Sequence, residues 1–586
     1  MSRRRWAVAL TGLILLTGCT TIPSSSSPQV VRTLNRGGAE SPRASITPEP
    51  GEEPREVVIK FIAAAVQADA QHSASRQFLT SAAAHKWQDG STVILDNDTG
   101  VGVQVSDGVD RTTVVVSGHR LGQLDSNGVY TPTLKNLGQG DLETFTYQLV
   151  KTAGQWRIDQ LPPGVLVKRD DFKAYFLPAS TLYFLNSANA DNGQVALVPD
   201  LRYTSLTGQA LASWRLTELL AGPRSELAQA VASEVPDQVG KPTVQLGDPI
   251  MVEIPGSNQL DGAARNALAA QLAYTFSTFE YGGAQLTITD GGRPVQISST
   301  LGTTFSQSNF NLPPAAAKAY YLRGGAVIDA TDDTPLAGTL GQPNALDSVA
   351  LRDDSSGDIL QAAGVRQGSL LVGTDKRLVK VALPPGELSR PEWRPHVGDV
   401  WVGVGNKGAI YRVIPGHPAS AVSITSPVGG SLTGQVLALR FSSDGVRIAA
   451  VVRAPDGTAA AWVGSVVTSG NDFRIDSFEP VTPVQLVVSD IAWADETQLS
   501  VIGASTASAG VAQMWRLGSD GSQLSPIPNS GLPPGSPSAI AERDGQPTLV
   551  SASGFIWARA TETSEWTSYP ATKTPPQGGI NPIFAE

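Results

Sequence analysis

Four stretches in the C-terminal part of the chain carry one pattern at one interval. Pro391-Glu-Trp-Arg-Pro395, Leu439-Arg-Phe-Ser-Ser-Asp-Gly445, Ile491-Ala-Trp-Ala-Asp495 and Ile540-Ala-Glu-Arg-Asp-Gly545 occupy equivalent places. Their anchors, Trp393, Phe441, Trp493 and Ala541, are 48, 52 and 48 residues apart. A later strand in each unit ends on an aromatic: Tyr411, Trp462, Trp515 and Trp557. A period of about 50 residues without helical patterning holds four short strands, the content of one propeller blade. A weaker copy starts near Ser348-Val-Ala-Leu351, and Tyr320-Tyr-Leu322 begins another. Residues 310–586 are therefore expected to form an all-β propeller of five or six blades. A pair of β-sandwiches would keep this period only by accident.

The other end of the chain is equally specific. Arg3, Arg4 and Arg5 precede an apolar run from Trp6 to Leu16, then Leu16-Thr-Gly-Cys19. A charged start, a short apolar run and small residues before the cut make an export signal. The run is too short to span a bilayer, which takes about 20 residues, and no later stretch approaches that length. Leu-Thr-Gly-Cys resembles a lipobox, and Cys19 is the only cysteine. Cleavage is expected between Gly18 and Cys19, with diacylglycerol carrying palmitate-type chains on the thiol through a thioether. Residues 1–18 are read as a lipoprotein signal peptide. Residues 19–54 are read as a lipidated, disordered tether, rich in Ser, Pro and Glu and without hydrophobic period. About 35 such residues reach roughly 35 Å r.m.s.. The expected location is the outer face of the cytoplasmic membrane. Arg4-Arg5 leaves Sec and twin-arginine export both open.

At 586 residues the chain has room for roughly three or four domains of about 150 residues each. A net charge of −10 argues against nucleic acid as a partner, because a phosphate backbone calls for clustered Lys and Arg. With Cys19 consumed by lipid no disulfide is possible, so the fold must rely on burial. The five histidines, His72, His85, His119, His396 and His417, form no i, i+4 pair and have no cysteine partner. No metal or cofactor is expected from that spacing.

Between tether and propeller two α+β units are expected. In 55–168, Pro54 and Glu56 open a helix whose Val57, Val58, Phe61, Ile62, Ala65 and Val66 recur at helical spacing. A second helix carries Phe78, Leu79 and Ala83 and ends near Trp87. Strands follow at 92–95, 102–105, 112–116, 144–150 and 156–158, so a cone-shaped, NTF2-like sheet around the helices is expected. In 170–305, strands at 181–185, 197–202 and 250–254 alternate with helices at 210–221 and 263–278. Gly222-Pro223 stops the first of these helices, and Asp290-Gly-Gly292 turns a final hairpin.

Several short motifs resolve into structure instead of chemistry. Gly403-Val-Gly-Asn-Lys-Gly408 matches a dinucleotide loop, but a strand follows where a helix is required. Asp96-Asn-Asp98, the acidic run at 329–333, and Asp353-Asp354 with Asp358 lack the spacing and closing Glu of a calcium loop and suit tight turns. Ser442-Ser-Asp-Gly445 lacks the aromatic of a sialidase Asp-box and continues like the turn of a TolB-type repeat. No nucleophile elbow or HExxH occurs, so no catalytic residue is assigned and the chain is not expected to be an enzyme.

Taken together, Leu16-Thr-Gly-Cys19, Trp156-Arg-Ile-Asp-Gln-Leu-Pro-Pro-Gly164, Leu182-Tyr-Phe-Leu185, Leu219-Leu-Ala-Gly-Pro223, Ser233-Glu-Val-Pro236 and the repeats resemble the actinobacterial LpqB lipoproteins over nearly the whole chain. The middle motifs resemble a GerMN domain. The resemblance implies a non-catalytic accessory of an MtrB/MtrA-type two-component system. Its partner would be the extracytoplasmic part of the sensor kinase, in envelope homeostasis and division. Only Cys19 transfers as a functional residue. Two rival readings remain: an exported cell-wall glycan-binding or glycan-processing protein, with Trp401 free to stack on sugar, and an envelope-assembly scaffold. Partner surface, sign of regulation and oligomeric state are left open.

Overall fold

The computed structural model describes residues 46–586 apart from 68–70, 107–108, 135–141, 187–195, 237–239, 277–285, 298–316, 354–359, 396, 428–431, 470–471, 484, 506–509, 536 and 571–577. The chain is multidomain and mostly β, with two α+β units followed by a propeller. None of the described helices is long and apolar enough to cross a membrane.

The first unit opens with α1 (Pro54–Ala65). Pro54 presets the first turn, and the Glu56 carboxylate accepts from the Glu53 backbone N–H at 3.4 Å. The apolar stripe read from the sequence turns Val57, Val58, Phe61 and Ile62 into the core. The expected single second helix is instead two short ones, α2 (Ser73–Arg76) and α3 (Ser81–Lys86). Phe78 and Leu79 lie between them because this segment pairs with a strand. Ile158 N–H donates to Phe78 O, and Thr80 N–H donates to Ile158 O, both at 2.9 Å. Thr80 then caps α3, its hydroxyl accepting from Ala83 N–H at 3.2 Å.

Seven strands complete this unit: β1 (Thr92–Leu95), β2 (Gly100–Ser106), β3 (Arg111–Leu124), β4 (Tyr130–Pro132), β5 (Leu142–Thr152), β6 (Gln155–Gln160) and β7 (Val165–Lys168). The sheet runs β6-β5-β3-β1-β7, and β2 and β4 also pair with β3. The long β3 buries alternate residues, Thr112, Val114 and Val116, as a one-sided strand should. Its first half is flanked by β2 and β5 and its second half by β1 and β4. That change of partners divides the sheet around α1, where Phe61 meets Trp87 at 5.1 Å and Tyr147 at 6.0 Å between ring centroids.

Helix α4 (Arg169–Tyr175) leads into the second unit. There β8 (Ser180–Leu185) pairs antiparallel with β9 (Leu197–Arg202), and α5 (Gly208–Ala221) stops at Gly222. Strands β10 (Thr243–Gln245) and β11 (Ile250–Glu253), helix α6 (Gly262–Thr275), and strands β12 (Leu286–Asp290) and β13 (Arg293–Pro294) follow. The β11–β12 pair is parallel, with α6 as its crossover.

The remainder forms six sheets among the described residues, one five-stranded and five four-stranded. Each anchor ends the innermost strand of its sheet, and these strands lie next to one another around a centre. The anchor indoles explain why the spacing is kept. Trp393 Nε1 donates to Ala350 O at 3.1 Å, and Trp493 Nε1 donates to Arg440 O at 3.0 Å. Each bond reaches the innermost strand of the preceding sheet. Phe441 instead meets Trp401 of its neighbour edge-on at 5.2 Å. Tyr320 does sit in a further sheet, but its innermost strand comes from the far end of the chain. Residues Ile580–Phe584 pair antiparallel with Ala319–Arg323, Ala319 opposite Phe584. The glycine motif at 403–408 is the hairpin between strands Val400–Val404 and Ala409–Val413.

Candidate functional site

Every residue of β9 is buried, including Asp200 and Arg202. A strand with charges inward needs partners on all sides. Asp200 Oδ2 accepts from Arg202 Nη2 at 2.8 Å and from Arg224 N–H at 2.9 Å. Arg202 also donates to Gly222 O at the end of α5 and to Asn127 O of the first unit, both at 3.2 Å. Arg447, at the turn Ser442-Ser-Asp-Gly445, crosses from the propeller to donate to Pro199 O, while Nη1 reaches Asp444 Oδ2 at 3.4 Å. Burial pulls the Arg447 guanidinium below its usual range, against the pull of Asp444. Val446 and Val467 of the propeller join the apolar core of the second unit.

Tyr203 follows β9 and touches all three parts. Its N–H donates to Gly128 O at 2.8 Å, and its hydroxyl shares a 2.7 Å hydrogen bond with Ser522 of the propeller. The approach requires glycine at 128, where φ is +72° and a Cβ would stand 2.6 Å from Tyr203 O. Gly521, at φ +80°, is constrained alike: a Cβ there would meet Val481 O at 2.6 Å and Pro132 Cγ at 3.0 Å. Asp125 shapes the first of these turns by accepting from Asn127 and Val129 N–H at 2.9 and 2.8 Å. Tyr130, Phe172 and Tyr203 pack with centroids 5.5 to 6.2 Å apart. Burial raises the phenols of Tyr130 and Tyr203 well above the ordinary tyrosine range.

Beside this junction lies a cavity of about 320 Å³. Its first-unit wall includes Ile94, Leu121, Tyr130 and Phe172, and its propeller wall includes Val481, Leu486, Trp515 and Leu524. Arg169 and Lys173 also line it, and among the described residues no Asp or Glu does.

A second, much smaller space of about 70 Å³ marks the propeller centre. Members of four charge pairs line it: Arg440 with Glu392 at 3.2 Å, Glu542 with its partner Arg516 at 3.0 Å, Arg543 with Glu586 at 3.6 Å, and Arg390 with its partner Asp490. Burial pushes the Glu392 carboxyl up to about 7 against Arg440, and lowers Arg390 to about 9 with Arg440 adding to the fall. Burial raises Glu586 as well.

Gly18 and Cys19 lie outside the described residues, as do His396, Asp354 and Asp358. Trp401 is fully buried, so it has no face to offer a sugar. Its strand, Val400–Val404, is buried along its whole length. The acidic run at 329–333 makes turns, with Asp329 accepting from Thr331 N–H at 2.8 Å and Asp332 from Thr334 N–H at 3.1 Å. His72 precedes α2, its ring 5.7 Å from that of Trp87; His85 is in α3 and His119 in β3. No cluster of three potential metal ligands forms among the described residues. Reasoning from sequence did not anticipate the junction. The charged Asp200 and Arg202 inside an otherwise apolar strand were its available signal.

Three family models match the chain in order: the lipoprotein LpqB N-terminal domain over 47–173, a sporulation and spore germination domain over 181–296, and the lipoprotein LpqB beta-propeller domain over 325–584. Lipoprotein LpqB of Rhodococcus jostii is 30% identical over 474 residues, covering 76% of both chains. That of Nocardia farcinica is 26% identical over 611 residues, covering 95% of this chain and 94% of its own. That of Mycobacterium leprae is 29% identical, covering 75% and 76%. Among solved structures, a xyloglucanase from Xanthomonas campestris is 15% identical at a TM-score of 0.30, covering 43% of each chain, an overlap that transfers no activity.

Proposed function

The chain belongs to the LpqB lipoprotein family, and from that premise we propose that it is a membrane-tethered accessory regulator of an MtrB/MtrA-type sensor kinase. Its anchor is lipid on Cys19, which holds it on the outer face of the cytoplasmic membrane. It acts without catalysis in envelope homeostasis and division. The observation that supports this reading is the junction at Tyr203, where hydrogen bonds tie all three parts of the folded chain together. A contact made on one part can then bias the others. The tether keeps the protein concentrated near membrane partners, so weak contacts suffice.

The glycan readings have less support. Two free carboxylates beside an exposed aromatic would mark a glycan-processing cleft. The propeller centre has the carboxylates, but each is paired to arginine, and Trp393 and Trp493 beside them are buried.

In-cell crosslinking of the native lipoprotein, with Cys19→Ala as the unanchored comparison, tests the proposal. Capture of a sensor kinase that weakens several-fold without the anchor is expected. Capture of glycan or assembly machinery without a kinase would sink it. Fractionation of the same strains should move the Cys19→Ala protein out of the membrane pellet.

A further inference from the structure

We infer that the cavity between the first unit and the propeller is a binding site for a single-chain amphiphile with an anionic head, a carboxylate or a phosphate. The cavity of about 320 Å³ falls within the size range of small-molecule sites. Its buried walls are apolar: Ile94, Tyr130 and Phe172 on one side, Val481 and Leu486 on the other. That surface suits a hydrocarbon chain.

Among the described residues the charge at the cavity is of one sign. Helix α4 presents Arg169, Phe172 and Lys173 to it at i, i+3 and i+4, so one aromatic and two cations share a face. Arg169 and Lys173 are exposed, and neither has an ion pair among the described residues. Asp171, on the same helix, lines a different cavity. A neutral or cationic amphiphile would leave both cations without a counter-charge. An anionic one gives each a charge-assisted hydrogen bond.

The site also sits where occupancy would have consequences. Pro132 and Tyr130 come from the first unit and Gly521 and Gln523 from the propeller hairpin that carries Ser522, the partner of Tyr203. A ligand here touches both sides of the junction. This inference stands apart from the kinase reading, because binding is measured on the purified chain alone.

The test uses the full mature chain carrying Cys19→Ala, purified without detergent so that nothing else fills the cavity. Dodecanoate, dodecyl phosphate, dodecanol and dodecyltrimethylammonium are titrated by calorimetry below their micelle concentrations. Saturable one-to-one binding of either anionic probe is expected, at least about tenfold tighter than the cationic one. The two anionic arms separate a fatty-acid head from a lipid phosphate. Combining Arg169→Glu with Lys173→Glu, both exposed positions, should erase that preference while dodecanol binding persists. A photoreactive dodecanoate should label peptides containing Phe172 and Leu486. No saturable binding of either anion, equal affinity for anion and cation, or labelling elsewhere would overturn the inference.

Discussion

Glu392 shows how a single residue records its place in the ring. In the sequence it is one glutamate before an anchor tryptophan; in the fold it faces Arg440 at the propeller centre. Burial holds its carboxyl at about 7, above the 4.5 of a free glutamate. Between these values the folded chain keeps a proton that the unfolded chain has released. Stability therefore falls as pH rises through that window, and the fall is complete above about 7. Glu586, raised by burial too, adds to the same slope, whereas Arg390 at about 9 titrates above it. Glu392→Gln should flatten the decline in urea-unfolding free energy between pH 5 and 7.5 by about 1–3 kcal/mol. An unchanged slope would show that the carboxyl ionises freely in the folded state.

At the scale of elements, the closure of the ring rests on one short strand. Ile580–Phe584 supplies the innermost strand of the sheet begun at Ala319, and Ile583 and Ala585 are buried with it. The chain after it continues to bond: Glu586 N–H donates to Leu351 O at 2.9 Å, and Asp353 N–H donates to Glu586 O at 2.8 Å. Removing 580–586 strips a sheet of its inner edge and uncovers two neighbouring cores. We expect a loss of more than about 4 kcal/mol, read as a drop in urea midpoint and new protease cleavage in 319–335. Stability close to that of the intact chain would mean the ring closes without this strand. The broken helix at Phe78 and Leu79 makes a similar point. Local patterning favoured a helix, and pairing with Ile158 overrode it.

For the whole molecule, the question is whether three units behave as one. Arg447 donates to Pro199 O from inside a seam, and its loss takes that donor from the carbonyl and one ion-pair partner from Asp444, which still accepts from Ser442 Oγ and Val446 N–H. Arg447→Ala should cost about 2–4 kcal/mol and separate the calorimetric transition of the propeller from that of the second unit. One transition at the original temperature would show that the apolar contacts of Val446 and Val467 and the Tyr203–Ser522 hydrogen bond hold the units without Arg447.

Much of the architecture was readable because it depends on periodicity. The propeller repeat, the stripe of α1, β9 and the stop at Gly222 follow from spacing and from residues with fixed backbone habits. The export signal and the lipid anchor on Cys19 proposed above rest on local sequence alone. What tertiary structure decided is everything that rests on contacts between distant segments: the indoles reaching the preceding sheet, closure by 580–584, and the burial of Trp401. The meeting of Gly128, Tyr203 and Ser522, and the cavity beside it, belong to the same class. Such contacts span tens to hundreds of residues, and no local period encodes which side chain will be buried against which. An aspartate and an arginine two residues apart in a strand look like a solvated edge until three packed units close over them.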